Sequence, residues 1–205
     1  MNNQQLMILA AKGIFVWLVL SIAGFFAGEK LITLLIPFYE TVIESASEGY
    51  LANIHIETVE HKENQIVLAA TALKAKPITE TRALPAGVTI ESKITVVHAL
   101  VPMVILFTIV FTWPAQSVLE RFWLCVAAIP ALLLVSALTG PLQLLGQLEI
   151  GFQNAAMNAG FIREQPLVLK WMLLTEGGGR WLIPALAGVA CGGITNKLVR
   201  RKLTK

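Results

Sequence analysis

Residues 94–119 and 122–148 contain no Asp, Glu, Lys or Arg. A helix needs about 20 mostly apolar residues to cross the roughly 30 Å hydrocarbon layer of a membrane. Both stretches are long enough to cross with some tilt. Two shorter stretches, 13–28 and 181–196, share the property, and the first extends back to Leu6 if Lys12 reaches to the interface. Only 14% of the 205 residues are charged and 56% are hydrophobic. A soluble domain carries about 25% charge. The shortfall argues against an ordinary soluble enzyme, and disorder needs the opposite balance. The expected fold is therefore a membrane α-helical protein. Its transmembrane helices are expected at 6–28, 94–114, 119–145 and 181–198.

The flanks agree with this reading. Trp113 and Trp123 bracket the turn between the second and third spans, and Trp181 opens the fourth, where interfacial aromatics are expected. Pro102, Pro130, Pro141 and Pro184 fall in or near spans and are expected to kink them. The C-terminal segment holds Lys197, Arg200, Arg201, Lys202 and Lys205 without a balancing acid. The positive-inside rule keeps this tail, 199–205, in the cytoplasm. Counting back through four spans puts the N-terminus inside as well, and the expected location is the cytoplasmic (inner) membrane. The alternative for the first stretch is a cleaved signal peptide, with one Lys, an apolar core and small residues at Ala23, Gly24 and Ala27.

Between the first two spans lies an expected extracytoplasmic α+β insert of about three strands. Leu31, Leu34, Leu35, Phe38, Val42 and Ile43 recur at helical spacing, with Glu40, Glu44 and Glu48 on a polar face. This predicts an amphipathic helix over 29–48, bent at Pro37. The period then changes to two. Ile54 and Ile56 alternate with His55 and Glu57, a polar turn follows at His61 to Asn64, and Ile66 to Leu68 resume an apolar strand. A third strand is expected through Val88, Ile90 and Ile94. A β-rich domain over 49–93 is too small to hold a core alone without disulfide or metal. It must rest on the preceding helix, the bilayer or another protein. A sheet with an open edge suits strand addition by a partner. The segment 146–180 is also expected outside, with an interfacial half-helix near Pro166 to Thr175 and a loose turn at Glu176-Gly177-Gly178-Gly179-Arg180.

Signs of chemistry are sparse. All thirteen acidic residues are Glu, so aspartate-dependent mechanisms are excluded. His55 and His61 read as exposed polar residues, with no Cys near them to complete a zinc pattern. His98 opens the second span, where Glu91 or Arg180 are possible partners for an enzyme reading. Cys125 and Cys191 fall in spans, too far from His98 for a nucleophile–base pair. No catalytic residue, metal site or cofactor is expected, and the modest net charge of +3 gives no reason to expect nucleic acid. Gly24/Gly28 and Gly188/Gly192 form small-residue pairs four apart, which let helix backbones approach closely. Residues expected to fold or dock the sheet are Ile54, Ile56, Ile66, Leu68 and Ile90, and Gly188 and Gly192 are expected to pack helices.

Several short stretches resemble the small membrane proteins associated with exosortases in bacterial protein sorting. They are Ala83-Leu84-Pro85-Ala86-Gly87-Val88-Thr89, His98-Ala99-Leu100-Val101-Pro102, Trp113-Pro114 and the Glu176 to Arg180 turn, within about a third of the chain. The resemblance implies an accessory component of an envelope sorting or secretion system, not the peptidase. It transfers no site residues. The expected function is a non-catalytic accessory or assembly subunit, with membrane lipids and another membrane or periplasmic protein as partners. The alternatives are a transporter or lipid-handling subunit and a membrane enzyme using His98.

Overall fold

The computed structural model describes residues 3–47, 49–58, 63–78 and 83–203, the last six by backbone alone. His61, Glu48 and the last two residues of the basic tail lie outside them. The chain is mostly helical. In order it forms α1 (Asn3–Ala46), β1 (Tyr50–Glu57), β2 (Gln65–Ala72), β3 (Lys76–Pro77), β4 (Ala83–Leu84), β5 (Thr89–Thr95), α2 (Val96–Thr112), α3 (Val118–Asn158), α4 (Leu167–Leu174) and α5 (Arg180–Leu203). Four of these helices, α1, α2, α3 and α5, fall on the four apolar stretches. α1 and α3 are the two that are long and apolar enough to cross a membrane, and α2 is shorter at 17 residues. The chain divides into two compact units, one of 1–28, 100–136 and 179–205, the other of 29–99 and 137–178.

The first unit is helical. Its core is Leu106, Val110, Leu124, Ala128 and Val135, with Phe107, Trp113, Ile183 and Ala187 packed on it. Glycines set the helix seams. A β-carbon at Gly188 would press on Ile109, and one at Gly192 would run into the Trp113 indole. Along α1, Gly13 faces Thr112, Gly24 faces Val104 and Gly28 faces Leu100. These pairings make α1 antiparallel to α2, and α5 parallel to it. The α2–α3 turn is tied by charge. Ser117 Oγ accepts from Glu120 N–H at 3.1 Å and Glu120 Oε2 accepts from Gln116 N–H at 2.6 Å, close to a capping box. Arg121 donates to the α2 carbonyls of Val110 and Phe111 and to the Trp113 carbonyl just past the helix, at 3.0–3.3 Å, satisfying a helix C-terminus.

The second unit holds a three-stranded antiparallel sheet in the order β1-β2-β5, and β3 and β4 form a separate two-stranded ribbon. Tyr50, Ala52, Ile54, Ile66, Leu68, Ala70 and Ile94 are buried. Ile56 and Ile90 are half-buried. The expected amphipathic helix is the second half of α1, which is one continuous helix through Pro37. Proline leaves the Thr33 carbonyl without its intrahelical donor but does not end the helix. Its inward residues Ile32, Leu35, Tyr39 and Ile43 are buried. α3 runs to Asn158, well past 145. Gln147, Glu149 and Gln153 are too polar for a membrane core, yet they favour helix as well as any residue does, so only hydropathy changes there. The stop comes at Gly160 (φ 81), where Phe161 N–H bonds to Ala156 O and Gly160 N–H to Met157 O.

Candidate functional site

Two features of the second unit combine exposed position with unmet or specialised polar chemistry. The first is the sheet edge. Gly49 O accepts from Leu73 N–H, so odd-numbered β1 residues bond to β2 and even-numbered ones turn outward. Three of the outward N–H groups are taken. Tyr50 N–H bonds to Ser47 O at 3.3 Å, Ala52 N–H to Glu44 Oε1 at 3.4 Å and Ile54 N–H to Glu40 Oε1 at 2.8 Å. The glutamates spaced four apart on α1 thus cap N–H groups along this edge, a role their helical spacing alone does not disclose. The sheet rests on its own chain, and Ser92 Oγ also donates to Leu144 O of α3 at 2.9 Å.

The opposite edge differs. Val96 N–H bonds to Asn64 O and Ala72 N–H to Val88 O, so even-numbered β5 residues face β2. Thr89, Glu91 and Lys93 turn their backbone groups away from β2, and among the described residues no second strand or turn bonds to them. Lys93 reaches across β2 to Glu57 at 2.6 Å, with Glu91 at 3.9 Å. The hydrogen bond and charge of Lys93 hold the Glu57 carboxyl below its ordinary range, and the same bond raises Lys93. Charges on an open edge discourage indiscriminate pairing.

The second feature surrounds His98, the third residue of α2, whose N–H is capped by Thr95 Oγ1 at 3.3 Å. Its Nε2 lies 2.9 Å from Glu176 Oε1 and 2.6 Å from Gln143 Nε2, and Gln143 Nε2 also donates to Glu176 Oε1. Gln143 is buried on α3. Glu176 sits in the turn Thr175–Gly179, which breaks at Gly178 (φ 127, ψ −13), a conformation that favours glycine. The carboxylate beside His98 is therefore Glu176, and Glu91 stands by Lys93 instead. Two partners compete for one ring nitrogen. A neutral imidazole with Nδ1 protonated accepts from Gln143, whereas a protonated Nε2 donates to Glu176. The arrangement can hold or pass a proton. Thr95 and Thr175 both spend their hydroxyls on backbone groups. Cys191 is committed to Ala127 O at 3.5 Å within the other unit.

Of the expected packing residues, Ile54, Ile66 and Leu68 lie in the sheet core, Ile56 and Ile90 at its margin, and Gly188 and Gly192 in the α2–α5 seam. Among the described residues, no three His, Cys or Glu side chains gather as metal ligands. Neither Gln143 nor Glu176 stands out in sequence, because each lies tens of residues from His98. Compared with family models, curated proteins and solved structures, the chain matches none.

Proposed function

We propose that the chain is a four-span protein of the cytoplasmic membrane, with both termini inside, and that it serves as a non-catalytic accessory subunit of an envelope sorting or secretion complex. The reading of four spans is supported by the helix directions, antiparallel for α1 and α2 and parallel for α2 and α5, as successive crossings require. It is also supported by the apolar surfaces of the first unit. Phe25 and Phe26 on α1 are 78% and 79% exposed, and Phe122, Ile129, Leu182 and Leu186 are exposed on α3 and α5. Such surfaces are costly in water and suited to lipid.

The observation that carries the docking role is the asymmetry of the sheet. On the β1 edge Glu40 and Glu44 cap outward N–H groups, and the β5 edge carries no such caps. An extended segment of a partner adds to β5 through backbone hydrogen bonds. The test places a photo-crosslinking residue at Glu91 and, as a control, at Asn53 on β1. One discrete adduct from position 91 alone is expected, and Lys93→Pro, which removes an outward N–H, abolishes it. Equal crosslinking from both strands, or none, sinks the role. For topology, Lys93→Cys and Lys197→Cys in a background lacking Cys125 and Cys191 are labelled in intact cells with an impermeant maleimide. Labelling of position 93 only is expected.

A second reading, a membrane enzyme, draws on the His98–Glu176 pair. His98→Ala at normal protein level separates the two. Loss of activity with partner crosslinking retained favours the enzyme, and an unchanged phenotype removes it.

A further inference from the structure

The open β5 edge is short and bounded at both ends. Gly87 (φ 84) turns the chain into it, and α2 begins at Val96, directly after Thr95. Outward backbone groups fall at Thr89, Glu91 and Lys93, so a guest strand pairs over about five residues, roughly 17 Å of extended chain.

The register sets what the guest meets. Across the outer face of the sheet the strands line up in rows: Leu51, Thr71 and Thr89; Asn53, Ala69 and Glu91; His55, Val67 and Lys93. Two of the three β5 side chains in these rows turn inward, away from the edge. Thr89 shares a hydroxyl hydrogen bond with Thr71 at 2.9 Å. Lys93 reaches over β2 to Glu57 at 2.6 Å, and Val67, in the same row as Lys93, is only 1% exposed although it lies on the outer face. Glu91 differs. Its row neighbour is Ala69, whose methyl offers no polar contact, and its carboxylate stays 3.9 Å from Lys93 Nζ, which is bonded more closely to Glu57. The Glu91 side chain is 58% exposed. Glu57 and Glu91 against Lys93 leave one net negative charge on this face, and Glu91 holds it at the centre of the edge.

The other face is apolar. Ile90 is half-buried, and Ser92 and Ile94 are buried, with the Ser92 hydroxyl spent on Leu144 O. Side chains alternate along a strand. A guest paired with β5 therefore sets one side chain opposite Glu91 on the outer face and the two flanking ones beside Ile90 and Ser92 on the inner face. Opposite charges facing each other across two strands stabilise the pairing, and like charges oppose it. Apolar flanks extend the buried face, whereas a charged flank would lose water beside Ile90.

We propose that the β5 edge selects an extended segment of a partner protein with a lysine or arginine opposite Glu91, flanked on both sides by apolar residues. Glu91 sets this preference. The inference rests on strand addition at β5 and names the guest that the edge takes.

The test uses the full chain in nanodiscs and three probe peptides, Gly-Ser-Thr-Val-X-Val-Thr-Ser-Gly with X as Lys, Gln or Glu, each ending in a photo-crosslinking residue. Adduct yield at equal peptide concentration, and the strand attached, are read by mass spectrometry. The expected order is Lys above Gln above Glu, with about fivefold between the extremes. The spread shrinks at about 0.5 M salt, because the pair is exposed. Glu91→Gln is expected to level the three peptides and Glu91→Lys to reverse them, while Asn53→Lys on β1 leaves the order unchanged. Equal yields in the unaltered chain, or the same order in Glu91→Lys, overturn the charge preference and leave strand addition standing. No adduct on β5 from any of the three overturns the proposed guest. Crosslinking from position 91 itself removes the Glu91 carboxylate and reports backbone pairing whatever the guest's charge, so failure of the guest and failure of strand addition are distinguishable.

Discussion

Leu186 on α5 and Leu51 on β1 are 60% and 55% exposed. Equal exposure carries different meanings in the two units. Around Leu186 the outward surface is continuously apolar, with Leu182 and Val189 on the same helix. Around Leu51 the outward neighbours are Asn53, His55 and Glu57. The first unit has glycines in its seams and a small buried core, and it also turns many large apolar side chains outward. The second buries one face of its sheet and sets polar side chains on the other. The lesson is that burial alone does not define a core; the solvent outside decides which side chains can face it.

The strongest way to break that contrast is to place the same charge on both surfaces. Leu186→Lys is expected to cost about 3 kcal/mol of membrane insertion, the penalty of a lysine in the hydrocarbon, whereas Leu51→Lys is expected to be near neutral. A glycosylation-tag insertion assay on the isolated α5 segment measures the first, and thermal unfolding of the full chain measures the second. Equal effects would erase the distinction.

Next in size are the seams. Gly192→Leu drives a side chain into Trp113 and is expected to cost about 1–3 kcal/mol, while Gly193→Leu, whose β-carbon meets nothing within 4 Å, leaves unfolding unchanged. In the second unit, Glu40→Ala frees the Ile54 N–H and is expected to cost about 1 kcal/mol and to permit crosslinking from β1 as well as β5. Glu44→Ala, with its longer 3.4 Å bond, is expected to do less.

The smallest effect is acid sensitivity of the outer sheet surface. The Glu57 carboxyl is held below 4.5 by Lys93, so its contribution is present above pH 4.5 and fades as the pH falls through the lowered folded value. Glu57→Gln is expected to remove that slope from an acid unfolding curve. The pair is solvent-exposed, so the change is a minor one.

The helices and the sheet were legible in sequence because both rest on local periodicity. Apolar runs without charge mark α1, α2, α3 and α5, and alternation at Ile54 and Ile56 marks β1. What escaped was long-range and polar. Gln143 and Glu176 meet His98 only after α3 and the Gly178 turn are in place. Glu40 and Glu44 showed their helical face but not the strand they close. Polarity also misplaced the end of α3, since Gln147 and Glu149 end an apolar run without ending a helix.

Sealing β1 also sets an arithmetic of assembly. A sheet with two free margins can be extended from both, and copies joined that way grow into fibres. Here one margin is capped from within by Glu40 and Glu44, so in the proposed docking mode the remaining one accepts a single guest or one two-fold-related copy and growth then stops. If the proposed docking through β5 holds, a partner joins at a fixed ratio, and raising the concentration of chains raises the number of finished pairs without lengthening any of them.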